Sequence, residues 1–216
     1  MTGLGRSPNV EELGLEQADI AFDEDGIKVD DHLRTTNHRV YAVATSVSNA
    51  NTLNVAAATG KMAVENALRS GRKRLSDLII PWCTYTDPEI AHVGLYSVDA
   101  RRRKILVKTF SVLMHYVPRV VMDGEEQGFV KFHVREGTDQ ILGATMVARH
   151  AGEMINTASL AIAAKVGLRT LGGIIHDFPT QSEAIAAAGE ACAQSQLHTR
   201  WQRLWAACLA LIRRTG

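Results

Sequence analysis

The chain has 216 residues, 46% of them apolar and 22% charged, and its 24 basic and 23 acidic side chains leave a formal charge of +1. This is ordinary globular composition, long enough for one large domain or two small ones with a buried core. It carries no sustained basic face or RNA-binding signature, so no nucleic-acid partner is expected, and no run approaches the length of a bilayer span.

Met1 to Asn9 reads as loop, and Val10 to Leu15 as one helical turn. Ile20 to Val29 alternates as a hairpin does, with Asp23-Glu24-Asp25-Gly26 as its turn. After a loop to Asn37, the short apolar run His38 to Ala44 reads as a buried strand. Small polar residues from Thr45 to Asn51 lead into an Ala-rich helix, Leu53 to Leu68. A strand, a small-residue loop and a helix can place backbone N–H groups beside an anion, although a plain connection has the same pattern. Ser70 to Arg74 is a polar linker, and a domain boundary is expected near Ile80. The basic clusters Arg69–Arg74 and Arg101–Lys104 are short and suit solvated faces or helix C-termini.

From Pro81 the character changes. Trp82 to Thr86 and Ile90 to Val93 read as strands around an Asp87-Pro88 break, and Ser97 as the N-cap of a helix through Arg103. Ile105 to Met114, Gly128 to Val134 and Ile141 to Ala148 alternate with period two, which predicts an antiparallel meander. His150 to Ala164 is a helix with a broad apolar face, and Leu168 to Ile175 is a shorter one. Strands between helices predict an α+β domain, an antiparallel sheet with flanking helices. Trp201 to Arg214 reads as a basic amphipathic helix. Such a face suits a membrane surface, but docking on the body of the protein or on a partner subunit is the favoured reading.

The cysteines, Cys83, Cys192 and Cys208, are odd in number, far apart and without a CxxC. No disulfide framework or zinc site is expected, and a reducing cytoplasm fits best. Residues 1–20 lack the apolar stretch of a secretory leader.

One stretch draws the rest together: Ile175-His176-Asp177-Phe178-Pro179-Thr180-Gln181-Ser182-Glu183, followed by the helical run Ala184 to Ala188. Thr180 or Ser182 caps the helix, and Glu183 falls in its first turn, where the positive end of the dipole favours a carboxylate. His176 and Glu183 flank a rigid Pro-Thr elbow. They read as an acid–base pair or, as spacing alone favours, as an exposed His and Glu on a capped helix.

Five motifs in order over about 110 residues carry a family resemblance. They are Pro81-Trp82-Cys83-Thr84-Tyr85-Thr86-Asp87-Pro88-Glu89-Ile90-Ala91-His92-Val93-Gly94, Gly128-Phe129-Val130-Lys131, Ile141-Leu142-Gly143-Ala144, His150-Ala151-Gly152-Glu153-Met154-Ile155, and the elbow. Together they resemble the dimerisation domain of the pyridine nucleotide–disulfide oxidoreductases, with mercuric-reductase-like and dihydrolipoamide-dehydrogenase-like members the nearest in look. Gly5-Arg6-Ser7-Pro8-Asn9, Gly26 to Asp30, Thr35-Thr36-Asn37 and Val40-Tyr41-Ala42 resemble the last piece of the family's FAD-binding domain. The resemblance implies three parts: residues 1–80 as the C-terminal remnant of an FAD-binding α/β domain, 81–196 as the dimerisation domain and 197–216 as the amphipathic helix. It also implies a homodimer in which each elbow enters the partner's active site, with FAD and NAD(P)H as the family's cofactors.

The chain departs from the family in several places. The Gly-rich dinucleotide fingerprint, the paired redox cysteines and the inserted NAD(P)-binding domain are not in this sequence. Ala44 and Thr45 stand where the family has Gly-Asp against the flavin, and Leu53-Asn54-Val55-Ala56 replaces a more polar helix start. Thr45, Leu53, Val55 and Ala56 are therefore the cofactor-side positions. The residue directly before the elbow proline, which holds the family's acid–base group, is Phe178. A phenyl ring cannot move a proton, which leaves Glu183 and His176 as the candidate catalytic residues. The expected function is the C-terminal dimerisation part of an FAD-dependent NAD(P)H:disulfide or metal-ion oxidoreductase, not catalytic as this chain alone. The alternatives are a non-catalytic module that pairs with itself or with a full-length paralogue, and a degenerate gene remnant.

Overall fold

In the computed structural model, which describes residues 8–43, 53–69, 71–196 and Trp205, the chain divides into two units, Met1–Ile80 and Pro81–Gly216. In the first unit, Phe22–Asp23 (β1) and Gly26–Ile27 (β2) form the expected hairpin, with Phe22 opposite Ile27. Residues 11–19 make hydrogen-bonded turns where one helical turn was expected. The strand expected over 38–44 is a correction. Among the described residues Tyr41 makes one isolated antiparallel bridge, to Arg34, and Val40 and Ala42 hydrogen-bond to Thr35, Asn37 and Leu33, so 38–43 folds back on 33–37 without forming a strand; Ala44 lies outside the described residues.

Leu53–Leu68 (α1) forms as read, favoured by its run of alanines. Its Val55, Met62 and Ala63 face is buried with Leu33. Asn66 pins the helix end: its Nδ2 donates to the His32 and Lys73 carbonyls, and its Oδ1 accepts the Lys73 N–H. The opposite face of α1 is also apolar, and it is open: Leu53, Val64 and Leu68 are exposed.

The second unit is built on five strands: Trp82–Thr84 (β3), Glu89–Gly94 (β4), Val107–Leu113 (β5), Phe129–Arg135 (β6) and Ile141–Ala148 (β7). All pair antiparallel in the order β3-β4-β7-β6-β5. β5, β6 and β7 form the expected meander, and β4 joins it on the far side of β7. The chain leaving β4 must cross a face of the sheet to reach the far edge. It does so through Leu95, Tyr96 and the short helix Ser97–Arg102 (α2), whose N-cap is Tyr96 rather than Ser97.

Alternation decides the two faces. Ala91, Val93, Val130, Phe132, Val134, Ala144, Met146 and Ala148 point inward into one core with the helices that follow. Ala151–Ala163 (α4) contributes Met154, Ile155, Ala158 and Ala161 to that core. Glu89 reaches from β4 to accept the Gly152 N–H at 2.8 Å, satisfying one open donor at the start of α4. A short helix, Pro118–Asp123 (α3), was not expected; Pro118 opens it and Gly124, at φ +70°, closes it. Leu168–Gly173 (α5) precedes the elbow, and residues 183–196 form the helix after it (α6). The α6 positions Ala184, Ile185, Ala188 and Cys192 are all fully buried, the spacing of a single helical stripe. The C-terminal amphipathic helix read over 201–214 falls outside the described residues except for Trp205, which is helical and exposed. Among the described residues, no helix is long and apolar enough to cross a membrane.

Candidate functional site

The elbow is held from both sides. Before it, α5 and α6 cross in backbone contact: a Cβ on Gly189 would lie 2.4 Å from the Gly172 nitrogen, and one on Gly172 would lie 2.6 Å from the Glu190 nitrogen. Only glycine at both positions lets the two helices approach so closely. Within the elbow, the Thr180 hydroxyl donates to the Asp177 carbonyl at 2.9 Å, and the Thr180 N–H donates to Glu183 Oε2 at 3.3 Å. The second bond is the carboxylate half of a capping box, so Glu183 serves the start of α6. The reading of Thr180 as the cap position fits this bond; its hydroxyl, however, turns back to Asp177. On the far side, Gln181 Nε2 donates to Glu125 Oε2, and Glu125 is ion-paired with Arg149 at the end of β7. The buried Gln181 Oε1 has no partner among the described residues.

His176 Nε2–H donates to the Leu171 carbonyl at 3.1 Å. In the neutral ring that bond fixes the tautomer and leaves Nδ1 as the acceptor. His176 and Glu183 both line one cleft of about 350 Å³, together with Tyr116, Pro118, Ala187 and Glu190. The structure thus brings the two candidates into one cleft, while the ring's bond goes to Leu171 and the carboxylate's to Thr180. Phe178 does not line this cleft. It stands out from the surface, 67% exposed, with Ile175 fully exposed and Ile174 49% exposed. The Phe178–Pro179 peptide is cis. Tyr116 and Glu190 were missed in the sequence because they enter the cleft from the turn after β5 and from the third turn of α6, away from the elbow motif. Among the described residues, no group of three or more His, Cys, Asp or Glu side chains is arranged to hold a metal ion.

On the cofactor side, Leu53 is 84% exposed at the first position of α1 and Ala56 is half-buried. Val55 is buried. Thr45 lies outside the described residues.

The second unit is thus a five-stranded antiparallel sheet with helices on its inner face and a projecting Pro-Thr elbow. Residues 80–188 match the family described as pyridine nucleotide-disulphide oxidoreductase, dimerisation domain, and the chain belongs to that family. It is 32% identical over 198 residues to dihydrolipoyl dehydrogenase of Bacillus subtilis (strain 168), covering 92% of this chain and 42% of that protein. It is 32% identical over 191 residues to mercuric reductase of Streptomyces lividans, covering 88% and 40%. Among solved structures, LpdA from Mycobacterium tuberculosis matches at 26% identity and a TM-score of 0.75, over 86% of this chain and 40% of that one. The Cu(II) complex of the HOCl-induced flavoprotein disulfide reductase RclA from Escherichia coli shares the fold, with a TM-score of 0.75 over 87% of this chain and 43% of that one. The chain therefore spans about two-fifths of the length of the relatives it matches.

Proposed function

We propose that this chain is the dimer-forming part of an FAD-dependent NAD(P)H:disulfide or metal-ion oxidoreductase, and that it pairs with a second copy or with a full-length paralogue. The supporting observation is the elbow tip. Three large apolar residues, Ile174, Ile175 and Phe178, are exposed on a segment braced from both sides. Apolar anchors on a preorganised loop are what a protein interface uses. In this reading Met1–Ile80 is the C-terminal remnant of an FAD-binding domain, with Thr45, Leu53, Val55 and Ala56 on the flavin side. The Leu53 and Val55 side chains offer no hydrogen bond to a flavin, so any polar contact there falls to backbone groups and to Thr45.

Phe178 favours a second reading, a dimerisation module without chemistry of its own. Proton transfer needs a group that titrates, and the slot before Pro179 has none. The nearest substitutes are Glu183 and His176, both already bonded within the elbow. One measurement tests what the readings share and a second separates them. Sedimentation velocity at micromolar concentration should give a dimer where the chain pairs with itself, and a clean monomer would remove self-pairing from both. A visible spectrum of the purified protein should show flavin absorbance only under the first.

A further inference from the structure

The outer face of the sheet carries two buried imidazoles that neither reading uses. His92 on β4 is 2% exposed and His133 on β6 is 5% exposed. A cross-strand row runs Trp82, His92, Thr145, Lys131, Ser111, and His133 sits in the next row beside Thr109. His92 Nε2–H donates to the Gly94 carbonyl at 3.0 Å, so the neutral ring accepts the Thr145 hydroxyl at Nδ1, 2.9 Å away. His133 Nδ1 shares a 2.9 Å hydrogen bond with the Thr109 hydroxyl.

What closes over this face is the β4–β5 crossover. Tyr96 stacks flat on His92, with centroids 3.6 Å apart and planes 2° from parallel. The Leu95 backbone crosses Gly143 so closely that a Cβ there would lie 2.2 Å from the Leu95 oxygen. A register shift beside His133 leaves Leu142 without a partner on β6, and its carbonyl takes the Leu95 N–H at 2.8 Å. Ala100 of α2 is buried. The strap therefore rests on neutral, desolvated imidazole at one of its main contacts.

We propose that the strap from Leu95 to Lys104 is a pH-sensitive cover, closed while His92 and His133 are neutral and released when they take protons. The charged groups facing the pair are Asp99 of α2, which favours protonation of His92, and Lys131, which opposes protonation of His133. The two rings also oppose each other's charge. Burial holds both below the ordinary histidine range. In the lifted state the rings regain a pKa of about 6.5, so lowering the pH from 7.5 to 5.5 favours opening by up to about tenfold per histidine.

The test is hydrogen exchange of the whole chain between pH 7.5 and 5.5, corrected for intrinsic rates, with strap peptides compared with those of β6 and β7. The strap should open more readily than the strands at every pH, and its opening should rise as the pH falls, by up to about tenfold for each histidine over that range. His92→Phe keeps an aromatic partner for Tyr96 and should remove about one such factor; His133→Leu should remove the other. If a variant does not fold, titration of the wild-type His92 and His133 ring resonances replaces it, and both should titrate below the ordinary histidine value of about 6.5. A strap that exchanges only together with β6 and β7, a pH-independent strap, or rings that titrate at the ordinary value would each overturn the proposal.

Discussion

Phe178 projects from a loop whose neighbours are all tied down. Thr180 is bonded to Asp177 and Glu183, Gln181 to Glu125, and His176 to Leu171. A large apolar side chain held rigid and 67% exposed loses little entropy on docking. Phe178→Asp should weaken self-association by at least about tenfold, because a carboxylate pressed into an apolar contact loses its water without gaining a partner. The sedimentation isotherm of the variant measures this, and an unchanged isotherm would place the interface elsewhere. A second residue-scale prediction concerns Cys83. Burial pushes its thiol up, and the Glu89 carboxylate adds to the shift. A thiol raised in this way is largely protonated at neutral pH, where the thiolate is the reactive form. Alkylation of Cys83, followed by peptide mapping, should therefore still be accelerating above about pH 8.5, where an ordinary thiol levels off.

At the scale of elements, the elbow's position depends on how closely α5 and α6 cross. Gly172 and Gly189 meet backbone to backbone, while Gly173, one residue on, has nothing within 4 Å of a built Cβ. Gly189→Val should cost about 1–3 kcal/mol or more through overpacking, and Gly173→Ala should cost almost nothing. Urea midpoints of the two variants make the comparison, with equal midpoints counting against the close crossing. Most elements were legible because one periodicity dominates each. Period two marks β5, β6 and β7, and alanine-rich runs mark α1 and α6. Strand order was not, since alternation says which face a residue takes and nothing about which neighbour it pairs with. The meander of β5, β6 and β7 followed from their succession in the chain, but the place of β4 beside β7 could not be read. The segment 38–43 is read differently because its bonds go to the turn before it, Val40 to Thr35 and Asn37 and Ala42 to Leu33, and local propensity does not show which partner the backbone takes. The elbow was legible as a motif, whereas Tyr116 reaches the cleft only through the tertiary path from β5 into α3.

At the scale of the whole molecule, the two units differ in how they handle apolar surface. Pro81–Gly216 buries a continuous core between sheet and helices. Among its described residues Met1–Ile80 has two small clusters, one around Leu15, Ile20 and Ile27 and one around Leu33 and Met62. Among the described residues of that unit, large apolar side chains are exposed as often as they are buried. Leu13, Phe22, Leu53, Val64, Leu68 and Ile79 lie outside, against Leu15, Ile20, Ile27, Leu33, Val55 and Met62 inside. So small a core rarely holds a segment of that size against its conformational entropy. The exposed α1 stripe is a face that a further body would cover. Trypsin should therefore cut within residues 8–77 well before it cuts within β6 or β7, and calorimetry should resolve two transitions, the lower from the first unit. Replacing Leu53, Val64 and Leu68 together by Gln should lower the binding of a hydrophobic dye while leaving the upper transition in place. If the triple variant moves the upper transition instead, the α1 stripe supports the second unit and is not a vacant docking face.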